Sequence, residues 1–165
     1  MNLRLDNELL QLLELVRELA GTKVYLVGGA VRDLLLGRPA KDLDFVQAQG
    51  SIQLAKAVSR RLNGSIYTLD DVRHSARVIL RQGEEDEQVL DFTSFVGENI
   101  NQDLRQRDFT INAMAIDLSR PETLIDPLGG QADLDARQVK LCGPDSLTSD
   151  PIRVLRGVRL ISNYG

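Results

Sequence analysis

The feature that most constrains the fold is a short β-rich run, a glycine pair and a second strand carrying two acids, all within residues 23–46. Lys23 to Val27 is β-rich and runs directly into Gly28-Gly29. A helix is predicted from Ala30 to Leu36, ended by Gly37 and the break at Pro39. Asp42 to Val46 reads as the second strand. A strand–glycine–helix–strand block of this kind commits the chain to a unit that mixes sheet and helix.

The flanking sequence extends that unit. Leu9, Leu10, Leu12, Leu13, Leu15, Val16 and Leu19 recur at helical spacing, and Gly21 is expected to close the helix. Ser51 is the expected N-cap of a helix over Leu54, Ala55, Val58 and Leu62, stopped by Asn63-Gly64. Strands are predicted at residues 65–69, 76–80 and 88–95, with an acidic turn at 83–86 between the last two. Short helices near 101–107 and from Ile111 follow, then strands near 115–118 and 139–141. Asp150-Pro151 has the form of an N-cap with proline at the first helical position. Beyond it Val154, Leu155, Val158 and Ile161 make one apolar face. The expectation is a single α/β unit of residues 1–149, with residues 150–165 beginning a helix that belongs to a longer protein.

Composition narrows the function classes. The 165 residues suit one compact domain, and 42% hydrophobic content supplies a core. No apolar run reaches the roughly 18 residues that a membrane span needs. The polar start, Met1 to Asn7, does not resemble a secretory signal. The single cysteine, Cys142, allows neither an internal disulfide nor a thiolate zinc cage. A reducing, cytoplasmic setting is expected. A net charge of −4 is poorly suited to coating nucleic acid, so any such role must be local or shared with other chain segments.

The chemistry-bearing residues cluster around the opening block. Gly28-Gly29 lets backbone approach a ligand, and the helix that follows offers amides to an anion. Arg32 falls early in that helix, within reach of a phosphate, and Asp33 can either orient its guanidinium or cap the helix. Asp42 and Asp44 flank Leu43, so on a strand both carboxylates share one face while Leu43 turns to the core. Two hard oxygen donors on one face suit Mg²⁺, which takes its other ligands from water and substrate phosphate. A bare pair of this kind also describes two solvated acids on an edge strand; the adjacent glycine block favours a metal–triphosphate site. Asp91 is a third acid, set in an apolar strand, where it either completes the metal set or pairs with an arginine. Arg153, Arg156 and Arg159 recur every third residue as a basic strip, or as an ordinary solvated helix face. His74 reads as a surface loop residue, and Cys142 as a small packed residue rather than a reactive thiol.

Four segments in order carry a specific resemblance: Tyr25-Leu26-Val27-Gly28-Gly29-Ala30-Val31-Arg32-Asp33, Lys41-Asp42-Leu43-Asp44-Phe45, Arg107-Asp108-Phe109-Thr110-Ile111-Asn112-Ala113-Met114-Ala115 and Asp150-Pro151-Ile152-Arg153-Val154-Leu155-Arg156. Together they resemble the head domain of class II tRNA nucleotidyltransferases, the CCA-adding enzymes, and of their bacterial poly(A) polymerase relatives. The resemblance implies a DNA-polymerase-β-like nucleotidyltransferase fold, a mixed sheet flanked by helices. It implies that Asp42 and Asp44 bind Mg²⁺, with Asp91 at the position of a third catalytic carboxylate that is often Glu in the family. It implies that Gly28, Gly29, Arg32, Asp33, Arg107, Asp108, Arg153 and Arg156 surround the nucleotide, with Asn112 in support. Two Mg²⁺ ions, replaceable by Mn²⁺, are the implied cofactors. CTP, ATP and the 3′ end of tRNA are the implied partners.

The implied reaction is attack of an RNA 3′-hydroxyl on a nucleotide α-phosphate with loss of pyrophosphate, without a covalent enzyme intermediate. The segment Arg60-Arg61-Leu62-Asn63-Gly64-Ser65-Ile66-Tyr67 departs from the Gly-Arg-Arg-Phe type usual in the poly(A) polymerases, which favours CCA, CC or A addition. A non-catalytic nucleotide-binding module is the reading from another class; the intact Asp42, Asp44 and Asp91 argue against it. The family's Glu-Asp-x-x-Arg selectivity motif does not follow Arg159, and weak metal and triphosphate binding with poor nucleotide addition is expected of these residues alone.

Overall fold

A computed structural model describes residues 6–72, 74–81 and 87–164; the acidic turn expected at 83–86 lies outside them. The strands are β1 (Val24–Val27), β2 (Asp42–Gln47), β3 (Ser65–Asp70), β4 (Ser75–Arg81), β5 (Glu87–Ser94), β6 (Ala115–Asp117) and β7 (Leu124–Ile125). They form one seven-stranded sheet in the order β3-β4-β5-β2-β1-β6-β7. Only β2 and β5 run parallel as neighbours; the other pairs are antiparallel. A parallel pair needs a crossover, and here the chain between β2 and β5 supplies it with a helix and the β3–β4 hairpin.

Strict alternation divides the sheet into two unlike faces. Leu26, Leu43, Phe45, Val78, Leu90 and Phe92 point to the side covered by the first and third helices. There Phe45 and Phe92 stack with centroids 5.1 Å apart. Val27, Val46 and Ala115 point to the other side and meet Ile100 and Leu104 of a short helix. Asp42 and Asp44 alternate with Leu43 and Phe45, so they lie on this second, partly covered face.

Seven helices accompany the sheet among the described residues: α1 (Asn7–Leu19), α2 (Gly29–Leu35), α3 (Ser51–Leu62), α4 (Ile100–Arg105), α5 (Gly130–Asp135), α6 (Ser146–Ser149) and α7 (Ile152–Tyr164). Their ends correct several expectations. Ala20, in extended conformation, closes α1, so Gly21 is not its left-handed cap. Gly50, at φ 83°, precedes α3 in the capping position. Ser51 instead donates its hydroxyl to the carbonyl of His74 at 2.5 Å. Asn63 does close α3 in the left-handed region, at φ 54°. The helix expected from Ile111 is a single 3₁₀ turn, Thr110–Asn112. The strand expected at 139–141 reduces to one bridge between Phe109 and Leu141. Asp150 accepts from the amide of Ile152 at 3.1 Å, as its reading as a cap required. Among the described residues no helix is long and apolar enough to cross a membrane.

The apolar face of α7 is real but does not face the domain. Val154, Leu155, Val158 and Ile161 are 50–71% exposed, while Gly157 and Leu160 are the buried positions. Glycine permits that approach, because a Cβ at 157 would stand 3.0 Å from Phe109 Cζ. Gly157→Leu should therefore overpack the contact and lower stability by about 1–3 kcal/mol, measured by chemical denaturation. A variant as stable as the parent would show that α7 is not seated on Phe109.

Candidate active site

The β1–α2 turn sets the centre of the site. Gly28 adopts φ 73°, ψ −139°, a conformation costly for any residue with a Cβ. It is also a point of convergence: a Cβ there would lie 3.1 Å from Arg107 Nη1 and 3.2 Å from Asp44 Oδ2. Glycine at 28 thus satisfies the turn and leaves room for a guanidinium and a carboxylate above it. Gly29 opens α2, whose first-turn amides have no carbonyl partner within the helix.

Strand pairing then lines up the acids. Asp44 is opposite Asp91 across the parallel β2–β5 pair, so both side chains rise from the same face. Burial pushes the Asp44 carboxyl up to about 6; Arg107 and Arg156 pull it down, while the Asp91 and Asp42 charges push it up. Both oxygens of Asp91 accept from Arg77, each at 2.8 Å, the arginine-paired arrangement that the sequence left open. Among the described residues, no three acidic, histidine or cysteine side chains form a closed metal-binding group.

Arginines supply the opposite wall. Arg107 holds Asp103 Oδ2 through Nε and Nη2, at 3.2 and 3.0 Å, while Asp103 Oδ1 accepts from the amide of Val96. Arg153 reaches back from α7 to the carbonyls of Gln106, Arg107 and Ser146, at 3.1–3.4 Å. Arg156 Nε stands 3.0 Å from Asp108 Oδ2. That buried oxygen has no hydrogen bond, so the contact is an ion pair with poor hydrogen-bond angles. Arg156 itself is 59% exposed and keeps donors for a ligand.

Arg32 is more confined than its sequence position indicates. Its Nε donates to Asp33 Oδ1, Nη1 to Asn112 Oδ1 at 2.5 Å, and Nη2 to both Asp33 Oδ2 and Tyr164 Oη. Four of five N–H groups are thereby used. Asp33 therefore orients the guanidinium, and it also accepts from Tyr164 Oη at 2.7 Å. Asn112 continues the chain by donating to Asp108 Oδ1 at 3.3 Å. Buried networks of this kind hold geometry because each unmet group is costly.

A cleft of about 830 Å³ joins these parts, and every predicted site residue except Asp91 lines it. Six basic and six acidic side chains line the cleft, so it has no formal net charge. Arg153, Arg156 and Arg159 all face it, so the basic strip is not an idle solvated surface. Sequence reasoning missed Tyr164, Asp103 and Arg77. Asp103 and Arg107 had a usable signal in their i, i+4 spacing. The other two depend on contacts far apart in sequence. His74 is exposed on the β3–β4 turn. Burial beside Asp108 pushes the Cys142 thiol up to about 11, which makes it inert.

A CC-adding tRNA nucleotidyltransferase of Geobacter sulfurreducens is 42% identical over 87% of this chain and 32% of its own length. One from Synechocystis is 43% identical over 81% of this chain and 31% of its own. This chain thus spans about a third of these curated relatives. A solved structure described as a CCA-adding enzyme with ATP superposes with a TM-score of 0.85 at 34% identity, covering 98% of this chain and 39% of that one. Residues 24–140 match the family model described as the poly A polymerase head domain. With that match over most of the chain, and with its motifs assembled around one cleft, the protein belongs to the poly A polymerase head domain family.

Proposed function

We propose that residues 1–149 are the catalytic head of a template-independent tRNA nucleotidyltransferase, and that residues 150–165 begin its helical neck. The single observation that carries the reading is the meeting of Asp44, Arg107 and Gly28 at one point of the cleft. The exposed apolar face of α7 supports the boundary, since a contiguous apolar patch of this kind marks a surface on which another segment packs. The two relatives named above favour CMP addition over AMP addition.

The residues present fit divalent cations, Mg²⁺ by the chemistry of the donors. Asp42, Asp44 and Asp91 would hold them: oxygen donors on one face, with Asp44 raised first by burial and further by the neighbouring Asp91 and Asp42. A cleft with no formal net charge cannot by itself neutralise a triphosphate of about −4, so cations are also required by charge. When bound, such ions acidify the RNA 3′-hydroxyl and neutralise the departing pyrophosphate.

The protein's own groups bind and orient. Arg107 and Arg156 face the cleft beside the carboxylates and stabilise the negative charge that gathers on phosphate oxygens. Arg153, fixed by three backbone carbonyls, locks α7 onto the loop after α4 and so sets where Arg156 stands. Arg32 contributes charge and one remaining N–H, and mainly ties α2 to α7 and Asn112. Gly28 and Gly29 let backbone approach the phosphates. Proximity supplies much of the rate when the reacting groups are held this way.

The test is nucleotide addition by the intact gene product to tRNA lacking its terminal nucleotides, with CTP alone, ATP alone and both. Mg²⁺-dependent extension by C residues from CTP is the expected result. Long A-tails from ATP on unrelated RNA would identify a poly(A) polymerase instead, and nucleotide binding without any transfer would identify a binding module. Residues 1–165 alone should bind nucleotide weakly and add it poorly. A cytoplasmic location follows from the tRNA substrate.

A further inference from the structure

The carboxylate row of the site continues outward into Arg77, a cation outside the four segments that carry the resemblance. Across the antiparallel β4–β5 pair Arg77 is opposite Asp91, and across the parallel β2–β5 pair Asp91 is opposite Asp44. Register therefore places Arg77, Asp91 and Asp44 side by side on one sheet face. Arg77 grips Asp91 as a fork, Nε to Oδ1 and Nη2 to Oδ2, both at 2.8 Å. This is the geometry in which an arginine binds a carboxylate most specifically. The pair is partly shielded: Asp91 is 21% exposed, while Arg77 is 42% exposed. The row is also electrically coupled, because Arg77 is influenced by Asp42 and Asp44 as well as by Asp91.

A carboxylate gripped on both oxygens offers a metal only its remaining lone pairs, and the gripping cation repels the metal. We infer that Arg77 is a positioning residue that holds Asp91 as an ion pair and cedes part of that carboxylate when a divalent cation enters the Asp42–Asp44 face, thereby setting the cation's affinity. Arg77 then acts through Asp91 and touches neither nucleotide nor metal. The inference rests on the metal-dependent reading above.

The experiment is a titration of the intact gene product with Mn²⁺ alone, followed by the electron paramagnetic resonance signal of the unbound ion. Arg77→Gln should tighten binding by about threefold to tenfold, by removing a nearby unit charge and releasing Asp91. Arg77→Lys keeps the charge without the fork and should tighten it by about twofold. In an Asp91→Asn background, Arg77→Gln should gain less than about twofold, since only longer-range repulsion remains. Thermal unfolding without metal checks that each variant folds; if Arg77→Gln does not, Arg77→Lys decides. Unchanged or weaker Mn²⁺ binding in the deciding variant overturns the inference. So does an equal gain with and without the Asp91 carboxylate, which would make Arg77 a general surface charge. If Asp42→Asn plus Asp44→Asn abolishes Mn²⁺ binding while the Arg77 variants leave it unmoved, the inference fails and the metal-dependent reading stands. Absence of saturable Mn²⁺ binding by the parent overturns both.

Discussion

Asp42→Asn combined with Asp44→Asn should abolish nucleotide addition by the intact gene product, with a loss on the order of a thousandfold or more. Asparagine keeps the size and hydrogen-bonding capacity of the side chains but removes both negative charges. Packing on the other side of the strand, Leu43 and Phe45 within the core, is untouched. Nothing in that core depends on the charges, so the variant should fold. Without the two carboxylates, Arg107 and Arg156 still attract triphosphate, so nucleotide binding should persist while transfer is lost. The discriminating measurement pairs single-turnover addition with nucleotide binding on the same preparation. Retained transfer would refute the metal assignment; lost binding together with lost transfer would mean that the acids shape the cleft rather than hold ions.

What could be read in the sequence was whatever depends on local period and turn chemistry. The alternation of Asp42, Leu43, Asp44 and Phe45 declares both a core face and a polar face, and the fold keeps both. Gly28-Gly29 after a β-run declares a turn that no larger residue fills, and its φ of 73° agrees. Caps were less legible, because Ser51 and Gly50 compete for one position and the left-handed φ of Gly50 decides it. Periodicity also shows that a helix face is apolar without showing what it faces. In α7 the apolar stripe is exposed, because Gly157 and the polar reach of Arg153 and Tyr164 pull the opposite side onto the domain. Contacts across the sheet were the least legible. The Arg77–Asp91 fork needs the register of a hairpin, and the Arg32–Tyr164 contact spans 132 positions. No local pattern encodes either.

Asp44 should make the metal-free protein less stable as pH rises, and asparagine in its place should remove that contribution. Its carboxyl is raised from 3.8 to about 6, chiefly by burial, so between those values the folded chain holds a proton that the unfolded chain has released. Stability from this group is fully present below pH 3.8 and is lost as pH climbs through about 6. In a chelator-containing buffer, Asp44→Asn should match the parent near pH 4 and exceed it at pH 7 by up to about 3 kcal/mol. Excess Mn²⁺ at pH 7 should invert the order, because a ligand that binds only the folded state stabilises the parent and loses one of its three charged donors in the variant. Chemical denaturation at several pH values, with and without metal, reads both effects. A stability gap that does not change with pH would mean that Asp44 ionises as an ordinary exposed carboxylate. A pH-dependent gap that metal fails to invert would keep the burial and remove the ion from Asp44. The two halves test separate properties of one side chain: it is expensive to ionise when alone, and it is an anchor when a cation arrives.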